Sequence, residues 1–151
     1  MTWRRTIDNF LVMTDATFTG IHHVAINVRD LERSVQWYAD VLGFAPLFPY
    51  DTADFDRRIM RHPSGVVIGL TRHRHADADA DFSERRTGLD HLALGVDGVE
   101  GLEQWAKRLD AAGVQHSGIS VTPTTGSALI SFRDPDNIAL EFYVAQGATA
   151  R

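Results

Sequence analysis

The chain has 151 residues, 44% hydrophobic and 23% charged, with fifteen Lys+Arg against twenty Asp+Glu for a net charge of −5. That length fits one compact domain or two small, closely packed modules, and the composition excludes a wholly disordered chain. The negative balance argues against nucleic acid as a partner, and no apolar run reaches the roughly 18 residues of a membrane span. The absence of cysteine removes disulfides, thiolate nucleophiles and cysteine-based zinc sites, and is what a reducing cytoplasm permits, so a cytoplasmic location is the expectation. Lys107 is the only lysine and falls in a surface-like helical pattern, so Schiff-base chemistry has no candidate.

Residues 1–18 read as an N-terminal extension. Arg4 and Arg5 precede the short apolar patch Phe10-Leu11-Val12-Met13, which Asp8 and Asp15 flank. A secretory core needs about 7–15 apolar residues, so no targeting signal is expected. Met13 is an alternative start, because regular patterning begins only near Thr19.

An internal repeat organises the rest. Ile21-His22-His23-Val24-Ala25-Ile26-Asn27-Val28 matches Leu89-Asp90-His91-Leu92-Ala93-Leu94-Gly95-Val96 at an offset of 68 residues. The match continues into the following segments, where Trp37 and Trp105 each lie 14 residues beyond their histidine. Each copy starts with an alternating strand and turns to helical spacing: Leu31, Val35, Tyr38 and Leu42 closed by Gly43, then Val99, Leu102, Ala106 and Leu109 closed by Gly113. Shorter strand patterns follow at Phe44–Tyr50, Arg57–His62 and Val66–Thr71, then at Val114–Ser120, Ser127–Arg133 and Ile138–Val144. The turn sequences Pro63-Ser64-Gly65 and Asp134-Pro135-Asp136-Asn137 precede the last strand of each copy. The expected class is α+β, with two tandem β-α-β-β-β modules at 19–72 and 89–145, a linker at 73–88 and a tail at 146–151.

Strand alternation assigns directions. Val24, Ile26 and Val28, and their counterparts Leu92, Leu94 and Val96, face the helices. The opposite faces carry His23, Ala25 and Asn27, then His91, Ala93 and Gly95. On the last strands, Val67, Gly69 and Thr71, then Ala139, Glu141 and Tyr143, share that helix-distal face. Two imidazoles and one carboxylate among small residues make a 2-His-1-carboxylate set, which suits a divalent transition metal with open positions for substrate. The competing reading is an ordinary solvated sheet face.

The duplicated unit, with His-His-Val-Ala-Ile-Asn-Val, Leu-Asp-His-Leu-Ala-Leu-Gly-Val and Arg-Asp-Pro-Asp-Asn-Ile-Ala-Leu-Glu-Phe, resembles the vicinal oxygen chelate superfamily of glyoxalases, extradiol dioxygenases, fosfomycin-resistance transferases and bleomycin-binding proteins. The resemblance spans Thr19 to Val144. It implies a cupped mixed sheet with helices on the outer face and one divalent ion (Fe, Mn, Ni or Zn) per site, held by His23, His91 and Glu141. It also implies a homodimer, with modules paired within one chain or between chains. Gly69 stands where glyoxalase I carries a fourth, carboxylate ligand.

The implied function is a metal-dependent enzyme acting on a small molecule with two neighbouring oxygens, by ring cleavage, isomerisation or addition. The alternative is an antibiotic-sequestering protein of the bleomycin-resistance type. Tyr143 and His116 are the acid–base candidates. Asn27, Thr71 and Arg58 are the substrate-binding candidates, with Arg57 and Arg61 as further basic residues near the same strand. His22 is expected on the opposite face from His23, and the tryptophans are expected to be packing anchors. The His73–Asp81 tract lacks the glycine and downstream glutamate of a calcium loop and reads as a solvated connection. Nucleotide-binding glycine loops and a serine nucleophile elbow are absent.

Overall fold

The structure is a computed structural model and describes residues 18–75 and 81–145. The alternative start at Met13, the aspartate-rich middle of the linker and the tail lie outside the described residues. The first module contains β1 (Val24–Asn27), α1 (Leu31–Asp40), β2 (Ala45–Pro49), β3 (Phe55–Arg61) and β4 (Val67–His73). The second contains β5 (Leu92–Gly95), α2 (Gly98–Ala111), β6 (Ser120–Val121), β7 (Ala128–Arg133) and β8 (Ala139–Val144).

Each module closes its own four-stranded sheet, in the orders β1-β4-β3-β2 and β5-β8-β7-β6. In both, the first strand pairs in parallel with the last, and the remaining pairs are antiparallel. The repeat in sequence is thus a repeat in topology, and the fold is α+β.

The helices form where the apolar spacing demands. Asp30 caps α1 by accepting the Arg33 N–H at 3.0 Å, and Gly43 leaves the helix at φ 78°. Leu31, Tyr38 and Leu42 are buried against the sheet, as the stripe predicts. In α2, Leu102 and Leu109 are buried but Val99 is 46% exposed. The reason is Gly101, where a Cβ would stand 2.6 Å from Val96, so the first turn docks through the glycine and rotates Val99 outward.

The core lies on the helix-facing sides of both sheets, with Ile26, Met60, Ile68 and Leu70 in the first and Ile130, Phe132, Leu140 and Phe142 in the second. Full burial of such side chains contributes roughly 1.5–3 kcal/mol each before entropy is charged. Trp105 stacks on Phe142 with ring centroids 4.3 Å apart, as expected of a packing anchor.

Polar contacts tie the two modules. The turn before β8 places Asn137 at φ 65°, and its two aspartates reach α1. Asp134 Oδ1 accepts the Asp136 and Ile138 N–H groups at 2.8 Å each, while Oδ2 accepts the Tyr38 hydroxyl at 3.1 Å. Asp136 accepts from Arg29 Nε at 2.8 Å and from the Ser34 hydroxyl at 3.2 Å.

Three strands differ from their sequence patterns, and of these β4 runs on to His73, two residues past Thr71 and into the expected linker. The strand expected over Val114–Ser120 is reduced to Ser120–Val121, preceded by an isolated bridge between His116 and Phe132. Gly118 at φ 73° breaks the extended run, and the Ser117 hydroxyl accepts the Ser131 N–H in place of the ladder. β3 begins earlier than expected, at Phe55, because the Thr52 hydroxyl accepts the Asp54 and Phe55 N–H groups and turns the chain there.

Candidate functional site

β5 and β8 bring two of the candidate donors together. Their register sets Ala93 beside Glu141, and His91 stands two residues before Ala93 on the same face. His91 Nε2 lies 3.5 Å from Glu141 Oε2, and the other carboxylate oxygen accepts the Ser131 hydroxyl at 3.0 Å. On the far side of the ring, Nδ1 is 2.6 Å from Asp90 Oδ1. Asp90 accepts only when Nδ1 carries the proton, which turns the Nε2 lone pair towards Glu141. A proton or a metal ion between two such electron-rich atoms stabilises the arrangement. The Asp90 hydrogen bond, and then the charge of Glu141, hold the His91 pKa above its usual value.

The first module builds the equivalent surface with different contents. Ala25 pairs with Gly69 as Ala93 pairs with Glu141, so Gly69 and Glu141 are structural counterparts. His23 is exposed, and its Nδ1 lies 2.9 Å from Nδ1 of His22, so His22 comes beside His23 instead of turning away. Gly69 is covered by Arg57, whose Cδ would lie 3.2 Å from a Cβ at that position. Arg57 Nε donates to the Thr71 hydroxyl at 2.8 Å, and its guanidinium stands 4.6 Å from the centre of the Phe55 ring.

Within one chain the halves stay apart. No residue of β1 comes within 8 Å, Cα to Cα, of β5 or β8. Among the described residues, no three His, Asp or Glu side chains of a single chain gather around one point. His91 and Glu141 are therefore brought together, and His23 is not.

The other candidates divide by face. Asn27 and Thr71 are direct register partners on the helix-distal face, with Asn27 exposed and Thr71 buried beneath Arg57. Tyr143 shares the face of Glu141, and its hydroxyl donates to Ser127 at 2.8 Å. Arg58 lies on the helix side, because it alternates with Arg57; it pairs with Asp51 at 2.7 Å and reaches Glu32 of α1 at 4.0 Å. His116 also belongs to the helix side, since it bridges to the buried Phe132 and contacts Asp110 of α2 at 3.1 Å. Neither Arg58 nor His116 meets the His91–Glu141 pair. A cavity of about 400 Å³ between the modules, bordered by Leu42, His62, Leu94, Trp105 and Phe142, is likewise on the helix side and separate from this face.

Sequence reasoning overlooked Asp90 and chose Arg58 over Arg57. The first was legible as the neighbour of a histidine. The second follows from parity: Met60 is a core residue, so Arg58 must share its side and Arg57 the other.

Residues 20–142, which span both modules, match the family model described as Glyoxalase/Bleomycin resistance protein/Dioxygenase superfamily. The chain belongs to that superfamily. A crystal structure of a glyoxylase/bleomycin resistance protein/dioxygenase domain from Frankia sp. EAN1pec superposes with a TM-score of 0.80 at 31% identity, covering 88% of this chain and 96% of that one. Lactoylglutathione lyase of Haemophilus influenzae is 29% identical over 133 residues, 81% of this chain and 90% of its own. The fosfomycin resistance protein FosX of Listeria monocytogenes, solved with Mn(II) and sulfate, shares the fold at a TM-score of 0.62 and 17% identity, with 87% and 96% coverage. Superfamily members thus include enzymes and proteins that bind a divalent metal.

Proposed function

We propose that this protein is a metal-dependent enzyme acting on a small molecule with two adjacent oxygens, and that two copies of the chain form its site. The observation that carries this reading is the His91–Glu141 pair, 3.5 Å apart and backed by Asp90 and Ser131. His23 occupies the repeat-equivalent position yet lies in the other half of the chain. A second copy presenting its His23 to this pair completes a 2-His-1-carboxylate set.

The donors fit a divalent transition ion. One imidazole has its protonation state fixed by a carboxylate, and Glu141 keeps a free oxygen on the same side. A divalent ion held there supplies Lewis-acid stabilisation of negative charge developing on a substrate oxygen. Asp90 keeps the His91 ring in place, Ser131 orients Glu141, and the small residues Ala25, Ala93 and Gly95 leave room for substrate. Tyr143 lines the wall as a hydrogen-bond donor. Between ring cleavage and isomerisation, likeness to a lactoylglutathione lyase favours glyoxalase-like chemistry, although Gly69 replaces the fourth ligand of glyoxalase I.

Metal content of protein reconstituted separately with Fe, Mn, Ni and Zn tests the reading. One ion per chain is expected in the wild type, with loss in Glu141→Ala and in His23→Ala. Mixing those two variants distinguishes the assemblies: a shared site regains metal in the heterodimer, and a site within one chain does not. No metal under any condition overturns the enzyme reading in favour of a binding protein.

A further inference from the structure

A polar row crosses the first sheet at the opposite end from His23. Asn27, Thr71 and Arg57 are direct register partners on β1, β4 and β3, so all three stand side by side on the helix-distal face. His23 is four residues from Asn27 along the same strand direction, roughly 13 Å at about 3.3 Å per residue. Ala25 and Gly69 lie between them on that face, with the Arg57 stem and the tip of Ile59 packed over Gly69. The same face therefore carries an imidazole at one end and a guanidinium at the other.

Arg57 is held but not neutralised. Nε is committed to Thr71, and the ring of Phe55 supports the guanidinium at 4.6 Å. An aromatic ring attracts a cation without cancelling its charge. Among the described residues no carboxylate forms an ion pair with Arg57, whereas its neighbours Arg58, Arg72 and Arg74 are paired with Asp51 or Asp56. The Nη1 and Nη2 groups therefore remain as a planar fork of donors, the geometry that recognises a carboxylate or phosphate in two-point contact. Gly69 is what permits this arrangement: the arginine stem lies across the strand in the space a side chain would fill.

We propose that Arg57, positioned by Thr71 and flanked by Asn27, is an oxyanion-binding subsite, and that the substrate carries a carboxylate, phosphonate or phosphate group at the end remote from the metal. The assignment rests on the proposed site only for calling the ligand a substrate. The subsite itself needs no metal, so the two readings fail separately.

Inorganic phosphate is the probe, titrated by calorimetry into metal-free protein, with acetate in a parallel titration. Phosphate and carboxylate share the fork contact, and the tighter of the two identifies the preferred group. Saturable binding is expected in the wild type. Arg57→Gln should weaken it at least ~tenfold, Arg57→Lys should weaken it less, and Thr71→Val should weaken it by loosening the guanidinium. Arg33→Gln, an exposed change on α1, should leave it within about twofold. Unfolding midpoints establish that each variant is folded, and Arg57→Lys serves if Arg57→Gln is not. Absence of saturable binding in the wild type, or binding that persists unchanged in a folded Arg57 variant, overturns the proposal. A protein that binds phosphate through Arg57 but retains no metal keeps the subsite and loses the enzyme reading.

Discussion

Tyr38 and Asp134 hydrogen-bond at 3.1 Å across the junction of the two modules, 96 residues apart in sequence. The tyrosine is among the most deeply buried side chains, and its hydroxyl has this carboxylate as its partner. Burial, with the adjacent negative charge of Asp134, holds the phenol pKa well above its ordinary value, so it remains a donor. Tyr38→Phe removes the donor and keeps the ring. It should destabilise the fold by about 1–2 kcal/mol, the cost of leaving a buried carboxylate oxygen without its partner. Urea unfolding at neutral pH measures this directly, and an unchanged midpoint would show that the junction does not depend on the bond.

Asp134 makes the same junction respond to pH. Its pKa is raised, chiefly by burial, although two backbone N–H groups and Tyr38 oppose the shift. Between the unfolded aspartate value of about 3.9 and the raised folded value, the native state binds more protons than the unfolded state. The contribution of Asp134 to stability therefore grows as pH falls through that window and is constant below it. Asp134→Asn lacks this titration while retaining an oxygen for both N–H groups. Subtracting the unfolding free energy of Asp134→Asn from that of the wild type across a pH series should give a difference that rises towards acid; parallel curves would refute the assignment. Asp134→Ala leaves three donors unpaired and should cost about 3 kcal/mol or more at any pH.

Much of the fold was legible because duplication supplies an internal control. Ala25 and Ala93, or Gly69 and Glu141, occupy equivalent register positions, so alternation read in one copy checks the other. The candidate metal donors followed from that same parity. What the sequence does not contain is the distance between the copies. The separation of His23 from the His91–Glu141 pair depends on how α1 docks on the turn of Asp134 and Asp136, and both are non-local contacts. The loss of most of β6 had a readable cause in Gly118, but one glycine within an otherwise extended pattern also fits a bulge.

Gly69 allows a substitution whose effects on stability and binding diverge. A Cβ there would lie 3.2 Å from Arg57 Cδ and 3.4 Å from Ile59 Cδ1, a crowding that a flexible arginine stem relieves by moving a few tenths of an ångström. Alanine in a strand interior also recovers roughly 0.5–1 kcal/mol of backbone entropy relative to glycine. Gly69→Ala should therefore leave the unfolding midpoint unchanged or slightly higher, yet weaken phosphate binding by pulling the guanidinium away from Thr71. Equal affinity for phosphate in Gly69→Ala and wild type would show that the stem has no preferred path across the strand.

Asp90 is the most informative single change at the proposed metal site. It contacts His91 Nδ1 at 2.6 Å and does not itself reach Glu141. The carboxylate fixes which ring nitrogen is free and makes that nitrogen a stronger donor. Asp90→Asn keeps the shape of the side chain but removes the charge, and its amide presents either an oxygen or an N–H to the ring. Outer partners of this kind are typically worth 10–100-fold in metal affinity, about 1.4–2.7 kcal/mol. Competition with a chelator of known strength should show that loss in Asp90→Asn while the folded midpoint of the metal-free protein stays within about 0.5 kcal/mol of the wild type, because Asp90 is exposed. An Asp90→Asn protein that holds its metal as tightly as wild type would place the ion elsewhere than on His91 Nε2.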